Sequence, residues 1–201
     1  MRLFRPWSVS RCLYPGGLFR IKTEDKILYL TFDDGPDPGS TPALLETLEK
    51  HQVKALFFCT GGSAEKYPEL IGAIKNKGHS IGNHSYSHPD GWKTCAKIYC
   101  DDIKNAAKVT SDRYFRPPYG HLTIRQYLEI RKTYKLFFWD IMAYDFDKRF
   151  DAERSLCLLK RMIRPGSIIV LHDTAESTCN IFIEDFITMS LSNSYKFEIT
   201  I

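Results

Sequence analysis

The sequence predicts a single α/β domain with a parallel sheet, because apolar runs typical of strands alternate with segments of helical periodicity. A second observation agrees: polar side chains follow several of these runs directly, at the ends of the predicted strands. The 201 residues, 43% hydrophobic and 26% charged, are enough for one sizeable core and are typical of a soluble globular chain. No internal repeat or low-complexity tract is visible.

The predicted strands are short runs of apolar and β-prone residues. The first run, ILYL at positions 27–30, is followed by Gly35 and Pro36, which continue neither a strand nor a helix. Six further runs follow along the chain. The seven predicted strands occupy residues 27–31, 55–60, 79–81, 114–115, 135–139, 167–171 and 196–201.

The predicted helices lie between these runs. Residues 41–51 carry Pro42 in the first turn and place Leu44, Leu45 and Leu48 on one face. The segment 67–77 ends at Gly78, a residue that commonly terminates helices. The remaining predicted helices span residues 97–110, 123–133, 152–163 and 181–191.

Two adjacent carboxylates, Asp33 and Asp34, end the first predicted strand within the motif TFDDGP. Neighbouring like charges are unfavourable unless a metal ion or an arginine compensates them, and such surroundings also prepare a carboxylate to act as a base. Downstream, His84 and His88 stand four positions apart in HSYSH, a spacing that one helical turn brings to one face. One carboxylate with two histidines leaves a coordination position open, as in catalytic zinc sites and some non-haem iron sites.

Two more motifs place polar residues near strand ends: RPPYG, which starts at Arg116, and LHD, which contains His172. In the order TFDDGP, HSYSH, RPPYG and LHD, the four motifs resemble the signature of the polysaccharide deacetylase family, also called carbohydrate esterase family 4. The similarity runs from about Ile27 to the C-terminus. It implies a distorted (β/α)7-8 barrel, with the active site at the C-terminal ends of the strands.

The resemblance implies a role for each matching residue. Asp33 resembles the general base that deprotonates a metal-bound water, and Asp34, His84 and His88 resemble the metal ligands. The implied ion is zinc, with cobalt, nickel, manganese or iron as alternatives. Arg116 resembles the residue that pairs with the base and holds it ionised.

The same resemblance implies residues for the remaining steps of the hydrolysis and for substrate binding. His172 resembles the general acid that protonates the leaving amine, and the backbone N–H of Tyr119 resembles a donor to the oxyanion. Leu171 resembles an apolar wall of the acetyl pocket, and Pro117 is expected to contact substrate. Trp92 is expected either to shape the sugar groove or to be ordinary loop packing. For Asp173 no catalytic role is indicated, and a loop-capping or solvated acid is expected.

The fourth family motif departs from the usual Asp-Trp pair. Asp145 matches the acid that tunes the catalytic histidine, and Phe146 stands where a tryptophan is common, which removes an indole N–H from the expected substrate site. A second interpretation makes Asp140 the tuning acid. We favour Asp145, because Asp140 directly follows an apolar run and is equally well explained as a strand-end residue.

Outside the motifs the sequence is less specific. Residues 1–25 are expected to be an N-terminal extension that packs on the barrel, and residues 26–201 to be the catalytic domain. Prolines, glycines and arginines interrupt every apolar run of that extension, and no run in the chain approaches the ~18 residues of a spanning helix, so a cytoplasmic location is the default expectation. The six cysteines are expected to be free thiols.

The net charge of +4 is mild and the basic residues are scattered along the sequence, so nucleic acid is not an expected partner. We therefore expect a metal-dependent hydrolase that removes N-linked acetyl groups from an N-acetylated oligo- or polysaccharide of the peptidoglycan or chitin type. The alternatives are an O-acetyl esterase and a catalytically silent glycan-binding protein. No oligomeric state is indicated.

Overall fold

The computed structural model describes residues 4–6, 8–111 and 113–199. A curled sheet of parallel strands with helices around it forms the centre, so the predicted distorted (β/α) barrel is confirmed. The strands are β1 (Ile27–Asp33), β2 (Leu56–Cys59), β3 (Ser80–Asn83), β4 (Tyr114–Phe115), β5 (Lys135–Leu136), β6 (Ile141–Met142), β7 (Ser167–His172) and β8 (Lys196–Phe197). The helices are α1 (Ser8–Leu13), α2 (Thr41–Lys50), α3 (Gly61–Lys66), α4 (Pro68–Asn76), α5 (Ala96–Ala107), α6 (Ile124–Ile130), α7 (Ala152–Met162) and α8 (Cys179–Ser192).

Strand β1 is the centre of the sheet. The hydrogen-bonded order is β5-β4-β3-β2-β1-β7-β6, every pair in it is parallel, and β8 pairs with β1 outside this path. The register places Asp33 opposite His172 of β7 and opposite Phe58 of β2. Because parallel strands end at one edge, the motifs that follow β1, β3, β4 and β7 meet there.

Side chains alternate along β1 and divide the core into two layers. Leu28, Leu30 and Phe32 pack outward in a cluster with apolar residues of α2, α7 and α8. Tyr29 packs in a second cluster with residues of neighbouring strands, among them Phe58. Asp33 shares the alternation of Tyr29, so it lies on the same face of β1, at its C-terminal end.

Most predicted elements lie within three residues of the observed ones, but the predicted strand 135–139 is too long. Only Lys135–Leu136 forms β5, and the unpredicted strand β6 follows at Ile141, because the backbone changes partner after β5: the N–H of Phe137 donates to Phe115 of β4, whereas that of Phe138 donates to Leu18. Helices α1 and α3 were not predicted. Helix α3 starts with two glycines, which are weak helix formers, and the Thr60 side chain accepts a hydrogen bond from Ser63 N–H at its start.

The last strand is also shorter than predicted. It covers Lys196–Phe197, and residues 200 and 201 of the predicted strand 196–201 lie outside the described part of the chain.

The described part of residues 1–25 contacts the barrel at two places. Leu18 forms a parallel bridge with Phe137 beside β5, and Arg20 forms an antiparallel bridge with Ser167 at the start of β7. Phe19 is buried and stacks on Phe138, with ring centroids 4.4 Å apart. Arg20 therefore lies at the N-terminal end of β7, whereas Leu18 and Phe19 contact the chain just after the C-terminal end of β5.

Candidate active site

Three side chains with metal-ligand chemistry converge at the C-terminal edge of the sheet. Asp34 follows β1, His84 follows β3, and His88 lies in the loop beyond it. Asp34 Oδ1 is 3.4 Å from His84 Nε2 and 3.2 Å from His88 Nε2, and the three ligand atoms lie within 4.8 Å of one another. The predicted ligands are therefore brought together.

The donor atoms of this cluster fit a cation. His84 Nδ1 donates to the carbonyl of Arg116 at 2.8 Å, so in the neutral ring Nε2 presents a lone pair towards Asp34. Asp34 Oδ1 is buried and accepts no hydrogen bond from the described residues. Burial opposes ionisation of Asp34, but the adjoining His84 and His88 outweigh it and hold the pKa of this carboxyl well below its usual range. A carboxylate facing an imidazole lone pair is unfavourable unless a cation lies between them.

The two histidines meet through a loop and not through a helical turn, which corrects the geometric argument made from their spacing. Residues 84–90 contain no helix, and the ring centroids of His84 and His88 are 5.0 Å apart. His88 has φ 56°, and Asp34, Tyr119 and Tyr144 nearby have φ of 74°, 59° and 60°. Left-handed backbone is strained for these residue types and is often found at functional sites.

A buried arginine holds Asp33. Arg116 Nη1 donates to Asp33 Oδ1 at 2.6 Å and to Thr31 Oγ1 at 2.7 Å, and Nη2 donates to the Phe138 carbonyl at 2.9 Å. The guanidinium also lies over the Phe58 ring, 4.3 Å from its centroid. Burial lowers the pKa of Arg116, and Asp33 opposes this. Such extensive bonding fixes the direction in which Asp33 points.

His172 forms a dyad with Asp145. His172 Nδ1 lies 3.0 Å from Asp145 Oδ1, while the His172 backbone N–H and the Ser177 hydroxyl each donate to Oδ2 at 2.7 Å. Burial disfavours the imidazolium, but the charge of Asp145, supported by Asp34 and Asp33, raises the pKa of His172 to about 9. His172 is therefore protonated at neutral pH and can give up a proton.

Asp140, the second candidate for the tuning acid, lies at the opposite end of the barrel. It is bonded to Arg164, whose Nε donates to Oδ2 at 2.9 Å, and to the Ser167 hydroxyl at 2.8 Å. No contact between Asp140 and His172 is found among the described residues, so Asp145 is the carboxylate that meets the histidine.

A cavity of about 420 Å³ opens above these groups. Pro117 and Phe146 line it, and Phe146 is partly exposed with its ring edge-on to His172 at 4.6 Å. Tyr119 also lines it, in the turn Pro118–Gly120, and its N–H makes no hydrogen bond with another described residue. Three aromatic or apolar lining residues that the sequence argument missed are Trp139, Met142 and Tyr144.

The expectation that Leu171 forms a wall of the acetyl pocket is wrong. Leu171 is fully buried in the outer cluster and does not line the cavity. Because side chains alternate along β7, it points away from His172, whereas Val170 shares the face of His172.

Trp92 lies outside the cavity but touches its rim. Its indole is 62% exposed and stacks on His121, with centroids 3.6 Å apart and an interplanar angle of 7°. His121 lines the cavity and pairs through Nδ1 with Asp90 at 2.9 Å. The same Asp90 accepts from the Trp92 backbone N–H at 3.0 Å. The loop therefore presents one indole face to solvent in a fixed position.

Asp173 is buried, so the expectation of a solvated acid is wrong. Its Oδ2 accepts from the Thr41 hydroxyl at 2.7 Å, and a Cβ on Gly35 would lie only 2.3 Å from it. Burial raises the pKa of Asp173 to about 6, although the hydrogen bond from Thr41 opposes this. Asp173 therefore packs tightly under the turn that carries the carboxylate motif.

Comparison with known proteins places the chain in a family. Residues 20–136 match the family model described as polysaccharide deacetylase. The chain belongs to this family. The match begins at residue 20, inside the segment expected to be an extension.

Relatives with curated names agree with this assignment. The chain is 36% identical over 156 residues to the peptidoglycan-N-acetylglucosamine deacetylase of Bacillus cereus, covering 72% of this chain and 55% of that protein. It is 33% identical over 169 residues to the chitooligosaccharide deacetylase of Azorhizobium caulinodans, covering 79% of each. The chain thus matches only about half the length of the first of these relatives.

A solved structure agrees in fold. The crystal structure of the Bc1960 peptidoglycan N-acetylglucosamine deacetylase superposes with a TM-score of 0.85 at 29% identity, covering 90% of this chain and 88% of that one.

Within the described residues, no helix has both the length and the apolar character needed to cross a membrane. All six cysteines are free thiols.

Proposed function

We propose that this member of the polysaccharide deacetylase family is a metal-dependent hydrolase that removes N-linked acetyl groups from a peptidoglycan- or chitin-like glycan. One observation carries the proposal: Asp33 and His172 flank the cluster of Asp34, His84 and His88. Asp33 and His172 are directly paired in the β1–β7 register, so a base and an acid lie at one strand edge with the three ligands. The names of the relatives support N-acetylated glycans as the substrate class.

Asp34, His84 and His88 would hold a divalent cation, and zinc is the ion that such a donor set suits best. When bound, the ion supplies Lewis-acid chemistry, which acidifies water and polarises an acyl carbonyl. The backbone supports this role, because the Arg116 carbonyl orients His84 for binding through Nε2.

Asp33 is the proposed general base. Its Oδ1 is bonded to Arg116, whereas Oδ2 lies 4.0 Å from His84 Nε2, on the side of the ligand cluster. A proton taken from water by Oδ2 leaves a hydroxyl oxygen that forms the new bond to the acetyl carbon. Arg116 keeps Asp33 in place throughout this step.

His172 is the proposed general acid. Its Nδ1 is occupied by Asp145, so the proton that it delivers is the one on Nε2. As the bond between the acetyl carbon and the sugar nitrogen breaks, that proton passes to the nitrogen, and an amine and acetate result. The backbone N–H of Tyr119, a residue that lines the cavity, is the proposed donor to the oxyanion.

The cavity determines what is bound. Its aromatic and apolar lining, including Phe146 and Trp139, suits the faces of sugar rings, and the exposed indole of Trp92 extends this surface at the rim. Its volume of about 420 Å³ suits a sugar unit and its acetyl group, and the rest of the polymer would lie across the opening.

The experiment compares acetate release from N-acetylglucosamine oligomers and peptidoglycan fragments by metal-loaded protein, chelator-stripped protein and Asp33→Ala. Release only by the metal-loaded protein with Asp33 intact is the expected result. An O-acetylated xylan is assayed in parallel, because faster acetate release from the ester would favour the esterase alternative.

Binding of oligomers without release of acetate, at full metal occupancy, would instead favour the glycan-binding alternative. The presence of both Asp33 and the His172–Asp145 dyad argues against that alternative.

A further inference from the structure

Three arginines from distant parts of the chain converge on one buried carboxylate, and a fourth lies near one of them. Arg164 makes two hydrogen bonds to Asp140, while Nη2 of Arg5 and of Arg11 lie 3.8 and 3.9 Å from its oxygens. Arg20 is near enough to repel Arg5, and its Nε donates to the Pro165 carbonyl at 2.8 Å. We call Arg5, Arg11, Arg20 and Arg164 the arginine cluster.

The arginine cluster is remote from the candidate active site. The Ser167 hydroxyl donates to Asp140 at the start of β7, and His172 ends the same strand. Five residues of extended chain separate the two, a distance of about 17 Å. A ligand at the cluster would therefore not enter the cavity that contains His172.

The charges of the cluster are not balanced. The guanidinium groups of Arg5, Arg11 and Arg164 surround one carboxylate, and the bonds from Arg164 and Ser167 already satisfy both oxygens of Asp140. Arg5 and Arg11 lie beyond hydrogen-bond distance from it. Burial lowers the pKa of Arg5, and Arg164, Arg20 and Arg11 lower it further, with Asp140 as the opposing charge.

The arginine cluster also contains a buried hydrogen-bond donor without an acceptor among the described residues. Arg5 Nε is buried and has no acceptor in the described part of the chain, a state that is unfavourable unless a ligand supplies one. Arg11 is half-exposed and Arg164 is partly exposed, so the cluster is open to solvent. Convergent guanidinium donors match the oxygens of a phosphate group in both charge and geometry.

We propose that the arginine cluster is a binding site for a phosphate group, such as that of a phosphate ester or a phospholipid headgroup. Arg5 Nε and the Arg11 guanidinium supply the donors, while Arg5 Nη2 donates to the Met162 carbonyl and Arg164 is held in place by Asp140. Arg5 and Arg11 precede the family match, which begins at residue 20, and Arg164 follows its end at residue 136. Three of the four arginines therefore lie outside the region that matches the family model, and Arg20 is its first residue.

Calorimetric titration of the full chain with inorganic phosphate, at constant ionic strength and with chloride as the reference anion, tests this proposal. Saturable binding is expected in the unchanged protein. In Arg11→Gln we expect at least a tenfold loss of affinity, the size of effect found when one hydrogen bond to a charged group is removed. Arg125→Gln is the matched control, because Arg125 is exposed on α6 and its loss changes the net charge equally.

Sedimentation with vesicles of phosphatidylglycerol, against phosphatidylcholine alone, separates the two sources of the phosphate group. Arg11-dependent binding of inorganic phosphate supports a free phosphate or ester, and Arg11-dependent binding to the anionic vesicles alone supports a lipid headgroup. If the protein binds neither inorganic phosphate nor the anionic vesicles, the proposal is wrong. Equal losses of binding affinity in Arg11→Gln and Arg125→Gln would also overturn it. Thermal melting of each variant confirms that it is folded, and deacetylation of a soluble oligomer is expected to be unchanged.

Discussion

Replacing Asp145 by Asn removes the charge beside His172 while nearly preserving the size of the side chain. Burial disfavours the imidazolium, and Asp145 is the strongest of the influences that raise the pKa of His172 to about 9. Without that charge only Asp34 and Asp33 oppose burial. We therefore expect the pKa to fall by about 2.5 units or more, to or below the usual value of about 6.5, which corresponds to about 3 kcal/mol.

The lower pKa in Asp145→Asn reduces the fraction of His172 that is protonated and able to act as an acid. At pH 7.5 the protonated fraction of His172 would fall from about 97% to about 10% or less. Misorientation of the ring adds to this loss, so acetate release is expected to decrease by about 10² to 10⁴, the usual contribution of a general acid.

The assay is an NMR titration of the histidine Cε1–H signals in chelator-stripped protein, with His172→Gln identifying the signal. Metal-free protein is used because a bound cation would offset the charge of Asp34. Ser177→Ala is the control, since it removes a hydrogen bond to Asp145 without changing its charge, and it should shift the midpoint much less. A midpoint for His172 in Asp145→Asn within half a pH unit of that in the unchanged protein would show that Asp145 does not raise the pKa of His172.

Three further predictions concern other groups. Asp34→Ala should abolish divalent metal binding measured by calorimetry, whereas His172→Gln should retain it; loss in both would contradict the assigned roles. Trp92→Ala should lower kcat/KM about tenfold for an N-acetylglucosamine tetramer but little for the dimer, since a stacked sugar contributes about 1 to 2 kcal/mol; equal losses would show a merely structural role. Burial raises the pKa of Asp173 to about 6, so the folded state retains a proton that the unfolded chain releases near pH 4, and stability should fall by up to about 3 kcal/mol between pH 4 and 6. In Asp173→Asn the free energy of unfolding, measured by urea titration of metal-free protein, should lose that slope, and an unchanged slope would show that Asp173 is not its source.

The parts of the site that depend on short motifs could be predicted from the sequence. A carboxylate after β1 and a histidine after β3 are local signals, and a parallel sheet brings strand ends to one edge whatever the loops between them do. The loop that joins His84 to His88 could not be predicted in this way, because left-handed backbone at His88 leaves no pattern in the sequence.

The sequence-based predictions were wrong or incomplete at residues whose role depends on the direction of the side chain or on partners far away in the sequence. Leu171 was assigned by its position next to His172, although alternation along β7 turns neighbours to opposite faces. The environment of Asp140 depends on arginines from both ends of the chain, which looked scattered in the sequence and meet only in the fold.

Acetate release is expected to depend on one metal ion held by Asp34, His84 and His88. The most direct measurement adds zinc stepwise to chelator-stripped protein and records bound metal and acetate release from an N-acetylglucosamine oligomer in the same sample. Release is expected to rise in proportion to bound metal and to stop rising at one ion per chain, and His88→Gln is expected to show neither metal binding nor release. Release from the stripped protein, or none at full occupancy for any N-acetylated oligomer, would contradict it.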